Sequence, residues 1–160
     1  MTATPAEFIH AMRLLPAGVT IVTAADGQRR NGFTATAVCS VSAEPPHLLV
    51  CANRETETLT TIIASGHFAV NVLRADQAAL ADRFAGRTGF EGAARFIGGM
   101  WSKLASGSPA LRDACAVFDC RVVQRLPVAT HDVIIGEVIH ARSDMHAEAL
   151  AYVDRFYART

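Results

Sequence analysis

The chain has 160 residues, enough for one domain, spanning 1–160, with a substantial core. Its 15 basic and 15 acidic side chains cancel, and no Lys/Arg run occurs, so nucleic acid finds no electrostatic footprint. Hydrophobic residues make up 51% and charged residues only 19%, a balance that predicts burial beyond one monomer's core and hence an obligate homodimer.

Thr4-Pro5-Ala6-Glu7 opens a helix, with Thr as N-cap, Pro at the first position and Glu three residues after the cap. Phe8, Ile9, Met12 and Leu15 then share a face, and Pro16-Ala17-Gly18 ends the helix. Val19 to Ala24 is rich in β-branched residues and reads as a strand, with Asp26-Gly27 as a turn signal. Thr34 to Ser42 is read as a second strand. Pro45-Pro46 stops the pairing, and His47 to Ala52 reads as a buried strand. Thr56 to Ala64 is a short helix carrying Leu59, Ile62 and Ile63 inward, with Gly66 closing it.

His67 to Leu73 is a strand, and Asp76 is expected to cap another helix with Leu80 and Phe84 on its apolar side. Gly86 lies past the end of that helix. From there to Pro109, six glycines and little periodicity predict a long functional or interface loop. Gly86, Gly89 and Gly92 are not a phosphate loop, because they follow a helix and no Lys-Ser/Thr pair closes the motif. Cys115 to Gln124 and Val133 to His140 complete the sheet, and Tyr152 to Tyr157 is a short terminal segment. Strands at this spacing with few long helices indicate an antiparallel barrel.

Several classes drop out. The longest uncharged stretch, Thr58 to Leu73, has 16 residues and contains Ser65-Gly66, too short and broken to span a membrane. Met1 to Phe8 has neither a basic start nor an apolar signal core, so the expectation is a cytoplasmic protein. Cys39, Cys51, Cys115 and Cys120 form no CxxC pair or zinc-ribbon spacing, and are expected to be small buried hydrophobes without metal or disulfide. No GxGxxG follows a strand, which excludes a Rossmann dinucleotide site, and neither GxSxG nor HExxH is present.

The run Thr34-Ala35-Thr36-Ala37-Val38-Cys39-Ser40-Val41-Ser42 carries no charge and little bulk. A core strand needs apolar residues rather than four hydroxyls at Thr34, Thr36, Ser40 and Ser42. Such a segment lets a flat ligand lie on the backbone, with hydroxyls and N–H groups as donors. Asn53-Arg54, just beyond the following strand, suits a phosphate through the bidentate fork of Arg, and reads equally as a surface pair before Glu55.

This run resembles the signature of the short-chain flavin reductases, the reductase components of two-component flavin-dependent monooxygenases such as the 4-hydroxyphenylacetate system. Ser65 to Leu73, Leu80 to Gly86, Arg95-Phe96 with Trp101, Phe118 to Val122 and Thr130 to Val138 are similar to the family's later elements, in order. The resemblance covers nearly the whole chain. It implies a mainly β fold with short helices: a Greek-key, antiparallel split β-barrel of the FMN-binding type. It further implies a homodimer with flavin in a groove near the subunit interface, and a monooxygenase partner. The implied activity is hydride transfer from NADH or NADPH to FMN or FAD, an NAD(P)H-dependent flavin reductase.

By that resemblance, flavin contacts fall to Thr34, Ala35, Thr36, Ser40, Val41 and Ser42, with Asn53 and Arg54 at the phosphate. Asn71 and Gln77 reach the flavin's polar edge or satisfy local backbone groups. Phe84, Trp101 and Tyr157 line the groove or, for Phe84 and Trp101, pack in the core. His131 follows Pro127-Val128-Ala129-Thr130 where the family carries a Gly-Thr-His or Gly-Asp-His that meets the nicotinamide; Ala129 departs from the family's glycine. His10, His47, His67, His140 and His146 show no ligand spacing and read structurally. Two other functions fit the same pattern: a flavoprotein that keeps its flavin and reduces a corrinoid or ferric complex, and a flavin- or haem-binding module without turnover.

Overall fold

Burial separates the strands into two kinds, and the separation explains the architecture. The computed structural model describes residues 2–160. Strands β2 (Thr20–Ala25) and β6 (His67–Val72) are buried almost continuously along their length, so both of their faces are covered. Strand β5 (Pro46–Asn53) alternates between buried and partly exposed residues and has one covered face. Together with β3 (Arg30–Ala35), β4 (Val38–Ala43), β9 (Ala116–Val128) and β10 (His131–Ser143) they form one antiparallel sheet, ordered β3-β2-β6-β9-β10-β5-β4. Its edges β3 and β4 are consecutive in the chain, so the sheet curls back on itself into a split barrel.

Inside the curl lies one core, with Val22, Ala24, Val50, Phe68, Val70, Cys120 and Ile134 all 0% exposed. Helix α2 (Glu57–Ser65) contributes Leu59 and Ile62 to it. Thr56 caps α2 by accepting from the Leu59 N–H at 3.3 Å, and Gly66 ends it at φ 71°, where a side chain would be strained. The expected inward Ile63 is 51% exposed; Thr58 and Thr61 take the buried face instead.

A second core covers the outer faces of β2 and β6. Helix α3 (Ala78–Phe84), a 3₁₀ turn (Gly92–Phe96) and the hairpin of β7 (Trp101–Lys103) and β8 (Pro109–Leu111) build it around Ile21, Leu73, Phe84, Phe96 and Leu111. The glycine-rich stretch expected to be a loop is mostly turns and irregular chain, but it carries that 3₁₀ turn and strand β7 and leads into β8. Phe84, Phe96 and Trp101 pack ring against ring at 4.9–5.5 Å between centroids, and Trp101 donates Nε1–H to the Phe96 carbonyl at 3.0 Å. Asp76 does not cap α3. Gln77 precedes the helix, and its side chain accepts from the Arg74 N–H at 2.8 Å instead.

The single small-residue strand expected over Thr34–Ser42 is two strands, β3 and β4, separated at Thr36-Ala37. Helix α1 (Pro5–Met12) has the expected capping box between Thr4 and Glu7 but buries no residue within the chain. Strands β11 (Leu150–Val153) and β12 (Phe156–Arg159) form a terminal hairpin on which β1 (Ala17–Gly18) adds a short edge. Arg13 ties α1 to that hairpin through Asp154 at 2.7 Å.

The β9–β10 hairpin turns at Ala129-Thr130, and Ala129 is held at φ 49°. Left-handed backbone costs an L-residue roughly 1–2 kcal/mol, whereas a glycine there loosens the unfolded chain by roughly 0.4–1 kcal/mol. The first effect is larger, so Ala129→Gly should raise the melting temperature by about 2 °C. An unchanged or lowered melting curve would show that the turn imposes no such strain.

Candidate active site on strands β4, β5 and β10

Strand β4 is the exposed edge of the barrel. It pairs only with β5, with Val38 opposite Val50, Ser40 opposite Leu48 and Ser42 opposite His47. A register shift between Ser40 and Ser42 bulges the strand around Val41, which is 50% exposed. Thr36 and Ser40 are exposed, and Ser42 is half-buried, its hydroxyl 3.2 Å from the carbonyl and N–H of Glu44. Beside this strand runs a groove of about 620 Å³ whose walls include Thr20, Val38, Leu48, Phe118 and Val138. Small side chains on one wall and mostly apolar ones on the others leave a slot suited to a flat aromatic ring, with hydroxyl and backbone donors along one edge.

The other end of β5 carries a second group. His131 stands opposite Asn53 in the β10–β5 register, and directly opposed residues share a sheet face. The Arg54 N–H donates to the Thr130 carbonyl at 3.0 Å, fastening the end of β5 to the hairpin tip that bears His131. Asn53 launches α2: its side-chain oxygen accepts from the Glu55 N–H at 2.9 Å, and its carbonyl accepts from the Thr56 hydroxyl at 2.9 Å. His131 is exposed, with Nδ1 2.8 Å from the Thr130 hydroxyl. The next residue, Asp132, faces the opposite way and is 1% exposed, ion-paired to Arg54 and Arg125.

Five residues of extended strand separate Leu48 from Asn53, so the groove and the His131 end lie about 17 Å apart along β5. Thr36 belongs to the His131 end, because its neighbour Ala37 accepts from the Cys51 N–H at 3.1 Å. The expected site residues therefore fall into two clusters: Ser40, Val41 and Ser42 at the groove, and Thr36, Asn53, Arg54 and His131 toward the other end of β5, where Asn53 and His131 take the sheet face opposite to that of Leu48 and Ser40.

The remaining candidates are engaged elsewhere within the chain. Thr34 donates its hydroxyl to the Ala81 carbonyl at 2.6 Å, and Ala35 is 7% exposed. Asn71 is 0% exposed: its amide donates to the Ile21 carbonyl and the Thr23 hydroxyl, and its oxygen accepts from the Leu111 N–H at 2.8 Å. Phe84 is 1% exposed in the second core. Gln77 is held by Arg74, and the Tyr157 hydroxyl donates to Asp82 at 2.7 Å. Burial, with that bond, pushes the Tyr157 hydroxyl up to about 12. Side-chain partners within the fold thus account for Thr34, Asn71, Gln77 and Tyr157.

The chemistry available to the protein's own groups is narrow. Burial raises the thiols of Cys51 and Cys115 above the ordinary cysteine range and pushes Cys120 up to about 12, away from nucleophilic thiolate behaviour. Cys39 departs from the expected burial and is exposed, and all four cysteines are free. Among the described residues, no group of three or more His, Cys, Asp or Glu side chains is placed to hold a metal ion. No helix among them is long and apolar enough to cross a membrane. What the region offers is orientation: hydroxyls and backbone donors on β4, and an imidazole and two guanidinium groups at the far end of β5.

Asp132 and Arg125 were not singled out by composition or motif. Period-2 alternation from Ile134, a core residue on β10, was the signal that could have found Asp132, since it places that carboxylate on the buried face.

A family model described as flavin reductase like domain matches residues 12–160. A relative from Variovorax paradoxus named FMN reductase (NADH) RutF is 46% identical over 152 residues, covering 95% of this chain and 83% of its own. Among solved structures, the NADH:FAD oxidoreductase SgcE6 of Streptomyces globisporus, in complex with NAD and FAD fragments, superposes with a TM-score of 0.89 at 27% identity, covering 100% of this chain and 96% of its own. Nitrilotriacetate monooxygenase component B from Mycobacterium thermoresistibile gives a TM-score of 0.87 at 26% identity, with 96% and 84% coverage. A split barrel, a small-residue strand bordering a flat slot, and these matches along nearly the full length agree: the chain belongs to the flavin reductase family.

Proposed function

We propose that this flavin reductase takes hydride from NADH to FMN or FAD and supplies the reduced flavin to a partner flavin-dependent monooxygenase. The observation that carries the reading is the exposed β4 strand, whose small hydroxylated residues border a slot of about 620 Å³. The names of the Variovorax and Streptomyces relatives support the cofactors, and the name of the Mycobacterium structure supports the kind of partner.

A bound flavin supplies a ring system that accepts two electrons as hydride. The chain's own part is to hold and orient. Ser40 and Ser42, with the backbone of the Val41 bulge, offer donors and acceptors to the polar edge of the ring, while Leu48, Phe118 and Val138 exclude water from its apolar side. Arg54 takes the phosphate at the far end of β5, and Asn53 and Thr36 flank it. His131 lies at that anionic end rather than at the groove, so its hydrogen bond serves the pyrophosphate of the nicotinamide donor in preference to the carboxamide. The apolar residues left uncovered on α1 (Phe8, Ile9, Met12) and on the β9–β10 hairpin (Val123, Leu126, Val128) support a homodimer in which these faces are shared.

Steady-state oxidation of NADH tests the activity. The rate should depend saturably on added FMN or FAD, as for an enzyme that releases its product. A rate independent of added flavin, or none at all, would replace this reading with a flavoprotein or a binding module.

Ser40→Leu should weaken flavin binding at least tenfold while the melting temperature changes little, because the side chain is exposed on an edge strand and fills the slot. Unchanged affinity in a folded variant would remove β4 from the site. His131→Ala should raise KM for NADH and lower kcat/KM about fivefold to a hundredfold with flavin affinity nearly intact, the worth of one lost orienting hydrogen bond. Normal kinetics with a depressed melting temperature would make His131 a structural residue.

A further inference from the structure

The barrel rim beside His131 holds a charge arrangement that the protein alone leaves unbalanced. Asp132 is turned by the strand pleat toward the core face of β10, and its side chain is 2% exposed. Arg125 of β9 approaches Oδ2 through Nε at 2.9 Å, and Arg54 approaches Oδ1 through Nε at 3.4 Å. Neither arginine has another carboxylate partner among the described residues. Two guanidinium groups on one carboxylate leave one net positive charge at this rim. Oδ1 is moreover buried without a hydrogen bond, because the 3.4 Å approach of Arg54 falls outside bonding geometry.

Both arginines address Asp132 through Nε. Their side chains are 54% and 40% exposed, so solvent reaches both. A guanidinium held from its Nε side presents the two-pronged edge that matches the oxygens of a phosphoryl group.

We propose that Arg54, Asp132 and Arg125 form one receptor for a phosphoryl group, with Arg125 as its second arginine and Asp132 as the positioning residue that aims both. The inference rests on the flavin reductase reading of the β4–β5 wall. The phosphoryl chemistry is common to the terminal phosphate of FMN and the diphosphate of NADH, and the experiment separates them.

Binding of FMN and of riboflavin, which lacks the phosphate, is measured by flavin fluorescence for the wild type, Arg54→Ala, Arg125→Ala, Asp132→Asn and the Arg54→Ala/Asp132→Asn double variant. A parallel arm measures KM for NADH with riboflavin as acceptor. If the flavin phosphate is the ligand, Arg125→Ala and Asp132→Asn weaken FMN about tenfold and leave riboflavin unchanged. The double variant then loses less FMN affinity than the Arg54→Ala and Asp132→Asn losses added together, because part of the effect of Asp132 acts through Arg54 and the rest through Arg125. A rise in KM for NADH with the preference for FMN over riboflavin unchanged also supports the receptor and assigns it to the dinucleotide. Equal losses for FMN and riboflavin, or no change in either arm, overturn it and leave Asp132 a plug for the barrel end. Selective FMN loss in Arg54→Ala alone overturns the receptor while the flavin site stands. Failure of the wild type to bind either flavin removes the underlying reading. Arg125 is partly exposed, so Arg125→Ala decides the matter even if Asp132→Asn does not fold.

Discussion

A strand covered on both faces needs two cores and a means of fixing them in register, and Asn71 provides that means. It sits fully buried on β6, donates to the Ile21 carbonyl and the Thr23 hydroxyl of β2, and accepts from the Leu111 N–H of β8. Thr23 in turn donates to the Pro109 carbonyl at 2.6 Å. These bonds connect the barrel wall to the β7–β8 hairpin that closes the second core. Each is made away from water, where an unpaired partner costs roughly 1–3 kcal/mol, so the outer layer docks in one register. With β2 and β6 immobilised between two cores, the variable part of the sheet is its other edge: β10, β5 and β4, each with one free face. The proposed site lies at that edge.

The division of labour along this edge follows from the pleat. On β10, His131 and Asp132 are neighbours in sequence and lie on opposite faces, so one is offered to solvent and the other to the barrel interior. The exposed imidazole is free to meet a ligand. The buried carboxylate cannot, and works through the two arginines that reach over the rim to it. The bulge at Val41 has a comparable effect on β4: it breaks strict alternation, so that Ser40, Val41 and Ser42 all border the groove. A regular strand would have turned at least one of them away.

Most of the fold was legible in the sequence because its signals are local. Thr4 with Glu7, Thr56 with Gly66, and Asp26-Gly27 announce caps and turns that the chain obeys. Val19 to Ala24, apolar almost throughout, correctly indicated a strand. The stretch from Gly86 to Pro109 was opaque for the opposite reason, since β7 and β8 are three residues each and are held by Asn71 and Thr23 from distant strands. For the candidate site, lack of bulk over Thr34–Ser42 pointed to β4, the strand that borders the groove. It did not reveal that Thr34 is spent on Ala81, or that the run is split at Thr36-Ala37, because both depend on how the barrel closes.

Trp101, the single tryptophan of the chain, lies in the outer core against Phe84 and Phe96 rather than in the barrel or the groove. Its emission is thus a spectroscopic beacon for one layer of the molecule. A change in intrinsic fluorescence on heating or in denaturant records the fate of the α3 and β7–β8 layer. Far-ultraviolet circular dichroism records the backbone of the whole sheet. Where the two signals move together, the hydrogen bonds of Asn71 and Thr23 bind both layers into a single cooperative unit. Where fluorescence changes ahead of circular dichroism, the outer layer peels away first and the strands at the β4 edge outlast it.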